Sequence, residues 1–317
     1  MALEPQQADP RRTEPAPDTS DVPPMPDLDT PVDFSKGFVP EEVTPLYHTD
    51  LYDQLTTDQK LTYNQLSGLY INEQTAFFEE QLVAVLRSLL KGGRVRGTSL
   101  EESMRRFLAD ELEHTTMFRS LNHLVSPEGN FDQPKTYHYV QASPASLMVL
   151  SFFARFPRRL TFWLWLIMIL EERSIYISKL FVKQATDLEP HFVATHLRHV
   201  TDEVNHVRWD IEMIEVFWAG ASKFHRAANA KLLSHVLLEY FTLPKRSGVR
   251  IVRELQRRHP ELAEVDFLSA FQGLSQCPAY YQVLYSAKTI PRTLALMESL
   301  PEFKTLHRRI HQLCTSA

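Results

Sequence analysis

From Leu46 onward the chain is written in helical periods. Apolar residues recur at spacings of three and four, glycine is scarce, and alternating apolar–polar strand patterns are absent. The spacing predicts a first long helix over 57–91, stopped by Gly92-Gly93. Ser99 with Glu102 makes a Ser-x-x-Glu capping signature that opens a second helix reaching about Leu124. After a loop between Pro127 and Pro134, a short helix is expected over 145–155. Pro157 suits the first turn of a third long helix running to about Thr186. Asp187 to Pro190 break the pattern, and a fourth long helix follows over 191–219. Further helices between 221 and 315 are punctuated by Pro244, Pro260, Pro278, Pro291 and Pro301. The four long helices are expected to form a bundle, with the C-terminal helices covering it.

Residues 1–45 are a different material. Proline recurs at positions 5, 10, 15, 17, 23, 24, 26, 31, 40 and 45 among acidic and small residues. Such a composition buries too little apolar surface to offset its ordering entropy. A disordered Pro-rich arm is therefore expected over 1–45, lying on the surface of one helical domain over 46–317.

Composition narrows the function classes. The most apolar run, Leu160 to Leu170, is 11 residues long and ends at Glu171-Glu172-Arg173. A membrane span needs roughly 20 apolar residues, so this run predicts a helix buried inside a protein and no membrane partner. The formal net charge of -5 offers no electrostatic footprint for nucleic acid. Cys277 and Cys314 form neither a disulfide framework nor a Cys-x-x-Cys pair, which points to a reducing, cytoplasmic setting.

The chemistry lies in a repeated motif. The second helix carries Asp110-Glu111-Leu112-Glu113-His114 and the fourth Asp202-Glu203-Val204-Asn205-His206. Glu and His three residues apart leave the same helix face. About one Glu-x-x-His is expected by chance in a chain of this composition, but two copies each preceded by Asp are expected in roughly one chain in several hundred. Di-iron carboxylate bundles take a Glu-x-x-His from each of two helices and a single Glu from each of the other two. The carboxylates bridge and neutralise two cations while each imidazole supplies a nitrogen. A metal-bound histidine needs a partner on its other ring nitrogen, and Asp110 and Asp202 are expected to reach across to the opposite motif. The reading is an all-α, ferritin-like four-helix bundle with additional C-terminal helices, holding two Fe ions (Fe2+/Fe3+). A mixed manganese–iron pair would use the same ligand types.

The single glutamates should come from the first and third helices. The third offers only Glu171 and Glu172. Glu172 is chosen because Met168, Ile169, Ile175 and Tyr176 make an inward stripe around it, with Glu171 the alternative. The first offers Glu73, Glu79 and Glu80. Glu111 lies 12 residues after Ser99, and counting 12 back from Lys91 reaches Glu79, whose neighbours Ala76, Leu82, Val83 and Leu86 are apolar. Glu79 is chosen, Glu80 shares a face with Arg87, and Glu73 is a candidate for supporting the ligands.

His199 lies one turn before Glu203 and so on the metal face, whereas His196 fits an ordinary core or surface histidine. With His199-x3-Glu203-x2-His206 the chain resembles the p-aminobenzoate N-oxygenase family, AurF-like di-iron oxygenases whose iron pair carries an extra histidine. The residues that match are Glu111, His114, Glu172, His199, Glu203 and His206, and the resemblance covers roughly residues 50 to 240. It implies an O2-dependent monooxygenase that works through a peroxo-type intermediate. It further implies stepwise oxidation of a primary amine towards hydroxylamine, nitroso and nitro products.

Electrons are expected from an external donor, since no Gly-x-Gly-x-x-Gly occurs; a homodimer is compatible. Phe77, Phe78 and Tyr176 are candidates for a substrate pocket, though aromatics at helical spacing usually form core, and Arg173 could pair a substrate carboxylate or neutralise Glu171. The competing readings are a di-iron hydroxylase or desaturase acting on carbon, a ferritin-like iron-storage or radical-generating protein with Tyr176 as the radical site, and a metal-free interaction protein.

Overall fold

Each long stretch of helical periodicity becomes a helix in the computed structural model, which describes residues 26, 30–126, 131, 136–141 and 143–316. The elements are α1 (Asp50–Gln54), α2 (Thr57–Lys91), α3 (Ser99–Val125), α4 (Pro144–Ala154), α5 (Phe162–Lys183) and α6 (Pro190–Met213), then α7 (Lys223–Tyr240), α8 (Arg246–Arg258), α9 (Phe267–Gly273), α10 (Pro278–Tyr285), α11 (Pro291–Ser299) and α12 (Lys304–Thr315). The pairing of Gly37 with Leu188 is an isolated bridge, and no strand occurs among the described residues.

Two helical hairpins make the bundle. α2 packs along α3, α5 along α6, and α3 against α6. α2 opens with a reciprocal cap in which Thr56 Oγ1 accepts from the Gln59 N–H and the Gln59 side chain accepts from the Thr56 N–H. The turn into α3 passes through Gly93 at φ +69°, a left-handed conformation that residues with a Cβ avoid. The cap of α3 falls one residue earlier than the sequence suggested. Thr98 rather than Ser99 accepts from the Glu101 N–H, and the Glu101 carboxylate reaches back to the Gly97 N–H at 2.8 Å.

The apolar run of α5 is buried on all sides. Phe162, Trp163, Leu164, Trp165, Leu166, Ile167, Met168 and Ile169 are all in the core. α6 covers one flank, while α7 and α11 cover another, so the C-terminal helices do close over the bundle. Pro291 and Pro278 start α11 and α10 at the position where a missing N–H costs nothing. No helix among the described residues is long and apolar enough to cross a membrane. α5 begins at Phe162 rather than near Pro157, and α6 gives way to a π-helical turn over Ile214–Trp218.

The expected disordered arm needs a correction. Residues 1–25 and 27–29 lie outside the described residues, but residues 30–45 pack onto the bundle. Phe38 and Val39 are buried, and Phe38 stacks on Phe192 with ring centroids 4.2 Å apart. Asn64 Oδ1 accepts from the N–H groups of Phe38 at 2.7 Å and Val39 at 3.2 Å, and its Nδ2 donates to the Val39 carbonyl at 2.7 Å. A Cβ on Gly68 would sit 2.6 Å from Phe38 Cβ, so glycine there is what lets the segment approach α2. The carbonyl of Gly37 accepts from the Glu189 N–H at 2.9 Å, and Glu189 in turn caps α6 through the N–H groups of His191 and Phe192. The segment thus sets the start of α6, the helix that carries the second Asp-Glu-x-x-His motif.

Candidate metal centre

The two Asp-Glu-x-x-His motifs face each other across the α3–α6 contact. Glu111, His114, Glu203 and His206 offer atoms that all lie within 4.8 Å of one another, and Glu79, His114 and His199 form a second such group. Glu111 and Glu203 occupy the middle. Glu111 Oε1 is 3.6 Å from Nδ1 of His114 and 3.1 Å from Nδ1 of His206. Glu203 Oε1 is 3.6 Å from Nδ1 of His114, 3.4 Å from Nδ1 of His206 and 2.8 Å from Nε2 of His199. Glu79 Oε1 lies 3.3 Å from Nε2 of His199 at one end, and Glu171 Oε2 lies 3.9 Å from Nδ1 of His206 at the other.

The outward ring nitrogens are held. His114 Nε2 meets Asp202 Oδ2 at 3.2 Å, His206 Nε2 meets Asp110 Oδ2 at 3.3 Å, and His199 Nδ1 meets Ser174 Oγ at 3.1 Å. Each imidazole therefore presents one defined nitrogen inward. Phe107 stacks on His206 with ring centroids 4.1 Å apart, which fixes its plane.

The donor set fits a pair of divalent cations. Glu79 Oε2, both oxygens of Glu111 and Glu203, Nδ1 of His114 and His206, and Nε2 of His199 are buried without a hydrogen-bond partner. Burying that many unmatched polar atoms costs several kcal/mol, unless a group that binds lone pairs sits among them. Four carboxylates, Glu79, Glu111, Glu171 and Glu203, match the charge of two divalent ions. Without metal the cluster must hold protons. Burial opposes the charge of His114, but hydrogen bonds to Asp202 and Glu111 and the charges of Glu203 and Glu111 outweigh it, leaving it pushed up to about 9. Burial, with the neighbouring histidines, keeps His199 well below the usual imidazole range and thus neutral.

The neighbouring glutamates are occupied elsewhere. Glu80 pairs with Arg119 at 2.6 Å and accepts from Tyr137. Glu73 accepts from the N–H groups of His138, Tyr139 and Val140, so it anchors a loop. Glu172, expected as the α5 ligand, points away from the cluster. Its oxygens accept from the N–H groups of Arg292 at 2.8 Å and Thr293 at 2.9 Å, at the N-terminus of α11. Glu171 takes the inward position instead. His196 is a core histidine, bonded to Asn72 Oδ1 at 3.1 Å and stacked on Phe181.

Two residues escaped the sequence reading. Ser174 is three residues beyond Glu171 and shares its face, a signal that was readable once Glu171 was placed inward. Asp210, four residues beyond His206, is fully buried with both oxygens unpartnered, and burial holds its carboxyl well above the usual range.

A cavity of about 210 Å³ opens against Glu79, Glu171 and His199. Phe78 lines it; Phe77 packs against Tyr137 instead, and Tyr176, also outside the lining, feels the charge of Glu42. Arg173 lines it too. Its Nε is buried without a hydrogen bond, and the side chain has no ion pair among the described residues.

The family described as P-aminobenzoate N-oxygenase AurF matches residues 20–273. No curated protein and no solved structure matches the chain.

Proposed function

The chain belongs to the P-aminobenzoate N-oxygenase AurF family, and from that premise we propose that it is an O2-dependent, non-haem di-iron N-oxygenase acting on a primary aryl amine. The observation that carries the reading is the convergence of three imidazole nitrogens and four carboxylates whose inward atoms are mostly unpartnered. Glu79, Glu111, Glu171, Glu203, His114, His199 and His206 are the residues that would hold the two ions. When bound, the iron pair supplies the redox chemistry that reduces dioxygen.

The protein's own contribution is positioning. Asp110, Asp202 and Ser174 set the imidazole orientations. The apolar wall of Ile167, Leu170 and Phe78 limits water beside the ligands. Arg173 is the residue we assign to an anionic substituent of the substrate, because a guanidinium with a buried unpartnered donor is best satisfied by a carboxylate. Oxidation then proceeds through hydroxylamine towards nitroso or nitro products, with electrons from an external donor.

The test is anaerobic reconstitution with ferrous iron, a count of bound metal, then exposure to O2 with a panel of amines and product analysis by mass spectrometry. Two irons per chain and oxygen on nitrogen are expected. A protein that retains no iron, or a panel oxidised only at C–H positions, overturns the reading.

A further inference from the structure

The outer face of α8 carries a line of positive charge for which the reaction proposed above has no use. Ile251, Val252 and Leu255 face the domain and are buried. Arg246, Arg250, Arg253 and Arg257 follow one another at spacings of four, three and four, so they share the opposite face. All four are exposed. At about 1.5 Å of rise per residue the stripe is roughly 16 Å long. A groove of about 670 Å³ runs between it and the ring-bearing residues His138 and Tyr139.

Among the described residues, Arg257 is the one member of this stripe that has a counter-charge. Glu254 is the carboxylate that lines the groove, and it is already taken by Arg257, at 2.7 Å through two nitrogens, and by Arg258 at 2.8 Å. Among the described residues Arg246, Arg250 and Arg253 make no hydrogen bond and no ion pair. Like charges at these spacings destabilise a helix. They also run against the chain's overall charge of -5. A row of unpaired guanidinium groups directs its field outward and pairs in geometry with carboxylates.

The stripe also sits close to the proposed centre. The groove's floor, His138 and Tyr139, is fastened to α2 because their N–H groups, with that of Val140, hold the Glu73 carboxylate. Glu73 precedes Glu79 by six residues, about 9 Å along the helix. The Gln141 N–H donates to Ser247 Oγ at 3.0 Å, which ties the floor to α8. On the inner side of the same helix, Gly248 and Ile251 wall the cavity beside Glu79 and His199. The groove is the outside of a wall whose inside is that cavity.

We propose that this face of α8 docks an acidic electron-transfer protein, the donor that the N-oxygenation requires. The donor's role rests on the function proposed above; the docking rests on the charge pattern alone. The first oxidation balances as R–NH2 + O2 + 2e− + 2H+ giving R–NHOH + H2O. A partner that surrenders one electron per encounter therefore docks twice for each O2. A line of three unpaired arginines about 10 Å long, extended by the paired Arg257, fits the acidic edge of a small protein, whereas a lone phosphate would call for cations converging on a point.

The experiment is calorimetric titration of the full chain with an acidic plant-type [2Fe–2S] ferredoxin at low ionic strength. Acyl carrier protein bearing its phosphopantetheine arm, acidic but unable to carry electrons, is the second arm. Micromolar binding of the ferredoxin is expected, weakening as salt screens the charges. Arg250→Glu/Arg253→Glu should weaken it by about tenfold or more, with no loss of melting temperature, because both side chains are exposed and the change relieves like-charge repulsion along α8. Reoxidation of the reduced ferredoxin by the iron-loaded protein should slow in proportion.

Equal affinity in the variant, or no binding of the ferredoxin, overturns the proposal. Binding of the carrier protein alone overturns it too and reassigns the stripe to delivery of a tethered substrate. The titration needs no iron, so a chain that binds the ferredoxin but holds no metal fails as an oxygenase, and the donor role fails with it while the dock stands.

Discussion

The carboxylate of Asp202 on α6 lies 3.2 Å from Nε2 of His114 on α3, while Asp110 on α3 holds Nε2 of His206 on α6 at 3.3 Å. Each motif orients the other's imidazole, so neither helix can turn without disturbing both ends of the cluster. The Asp202 side chain is 43% exposed while that of His114 is 2% exposed, so removing the carboxylate leaves no cavity. Asp202→Ala is expected to lower iron affinity by about 10–100-fold with little change in helicity. Competition against a chelator measures it. Unchanged affinity would mean that His114 is held by packing alone.

On the proposed assignment, protons and iron would compete for the same atoms. His114 in the metal-free protein is pushed from 6.5 up to about 9. A folded value above the unfolded one means that its pairing stabilises the fold in full below pH 6.5 and is lost as pH rises through about 9. The melting temperature of the metal-free protein should therefore fall across that window. Iron must displace the proton, so its apparent affinity should climb over the same range. The gap between loaded and metal-free melting temperatures should widen from pH 6.5 to about 9. A gap that narrows would contradict the assignment.

Glu171 and Glu172 part company in the structure, and two variants separate them. Glu171→Ala is expected to reduce iron loading and leave the fold intact. Glu172→Ala removes the carboxylate that receives the first N–H groups of α11. It should cost about 1–2 kcal/mol, as loss of a helix cap does, while iron still loads. Urea unfolding and metal analysis on both variants check the pair; interchanged phenotypes would restore Glu172 as the ligand.

That pair also marks where the sequence stops being readable. On α6 the spacing of His199, Glu203 and His206 defines a face by itself, so the positions could be read without any partner. The first part of α5, Phe162 to Ile169, is apolar on every side and buried in the core that α6, α7 and α11 help to close. No polar face fixes its rotation, and adjacent residues differ by about 100°. The partner of Glu172 arrives some 120 residues later in the chain, a distance that no local pattern spans. Among the three glutamates of α2, Glu79 was reachable by counting turns, whereas the engagement of Glu80 by Arg119 and of Glu73 by the 138–140 backbone is tertiary.

The N-terminal segment failed for a related reason. Its composition reads as disordered, yet Phe38 and Val39 are received by a polar residue of α2. Asn64→Ala would leave two buried N–H groups and a carbonyl without partners. A loss of roughly 2–3 kcal/mol is expected, along with faster proteolysis within residues 30–45. Because this segment also bonds the residue that caps α6, slower iron loading should accompany it. Wild-type protease resistance in the variant would show that Phe38 stacking on Phe192 holds the segment unaided.

Arg173 sets the last expectation. It lines the cavity beside Glu79, Glu171 and His199, and no carboxylate of the described chain pairs with it. An arginine that holds a remote carboxylate binds substrate and transition state alike, and its loss raises KM while kcat stays near its original value. Arg173→Met should raise KM for a carboxylate-bearing aryl amine by about 10–100-fold, and leave KM for its neutral methyl ester nearly unchanged. Arg173→Lys should recover part of the loss, since the charge remains and the fork geometry does not. Had Arg173 served instead to neutralise Glu171, Arg173→Met would alter iron retention and both substrates equally. Steady-state kinetics with the acid and its ester, beside a metal count, distinguishes the two roles.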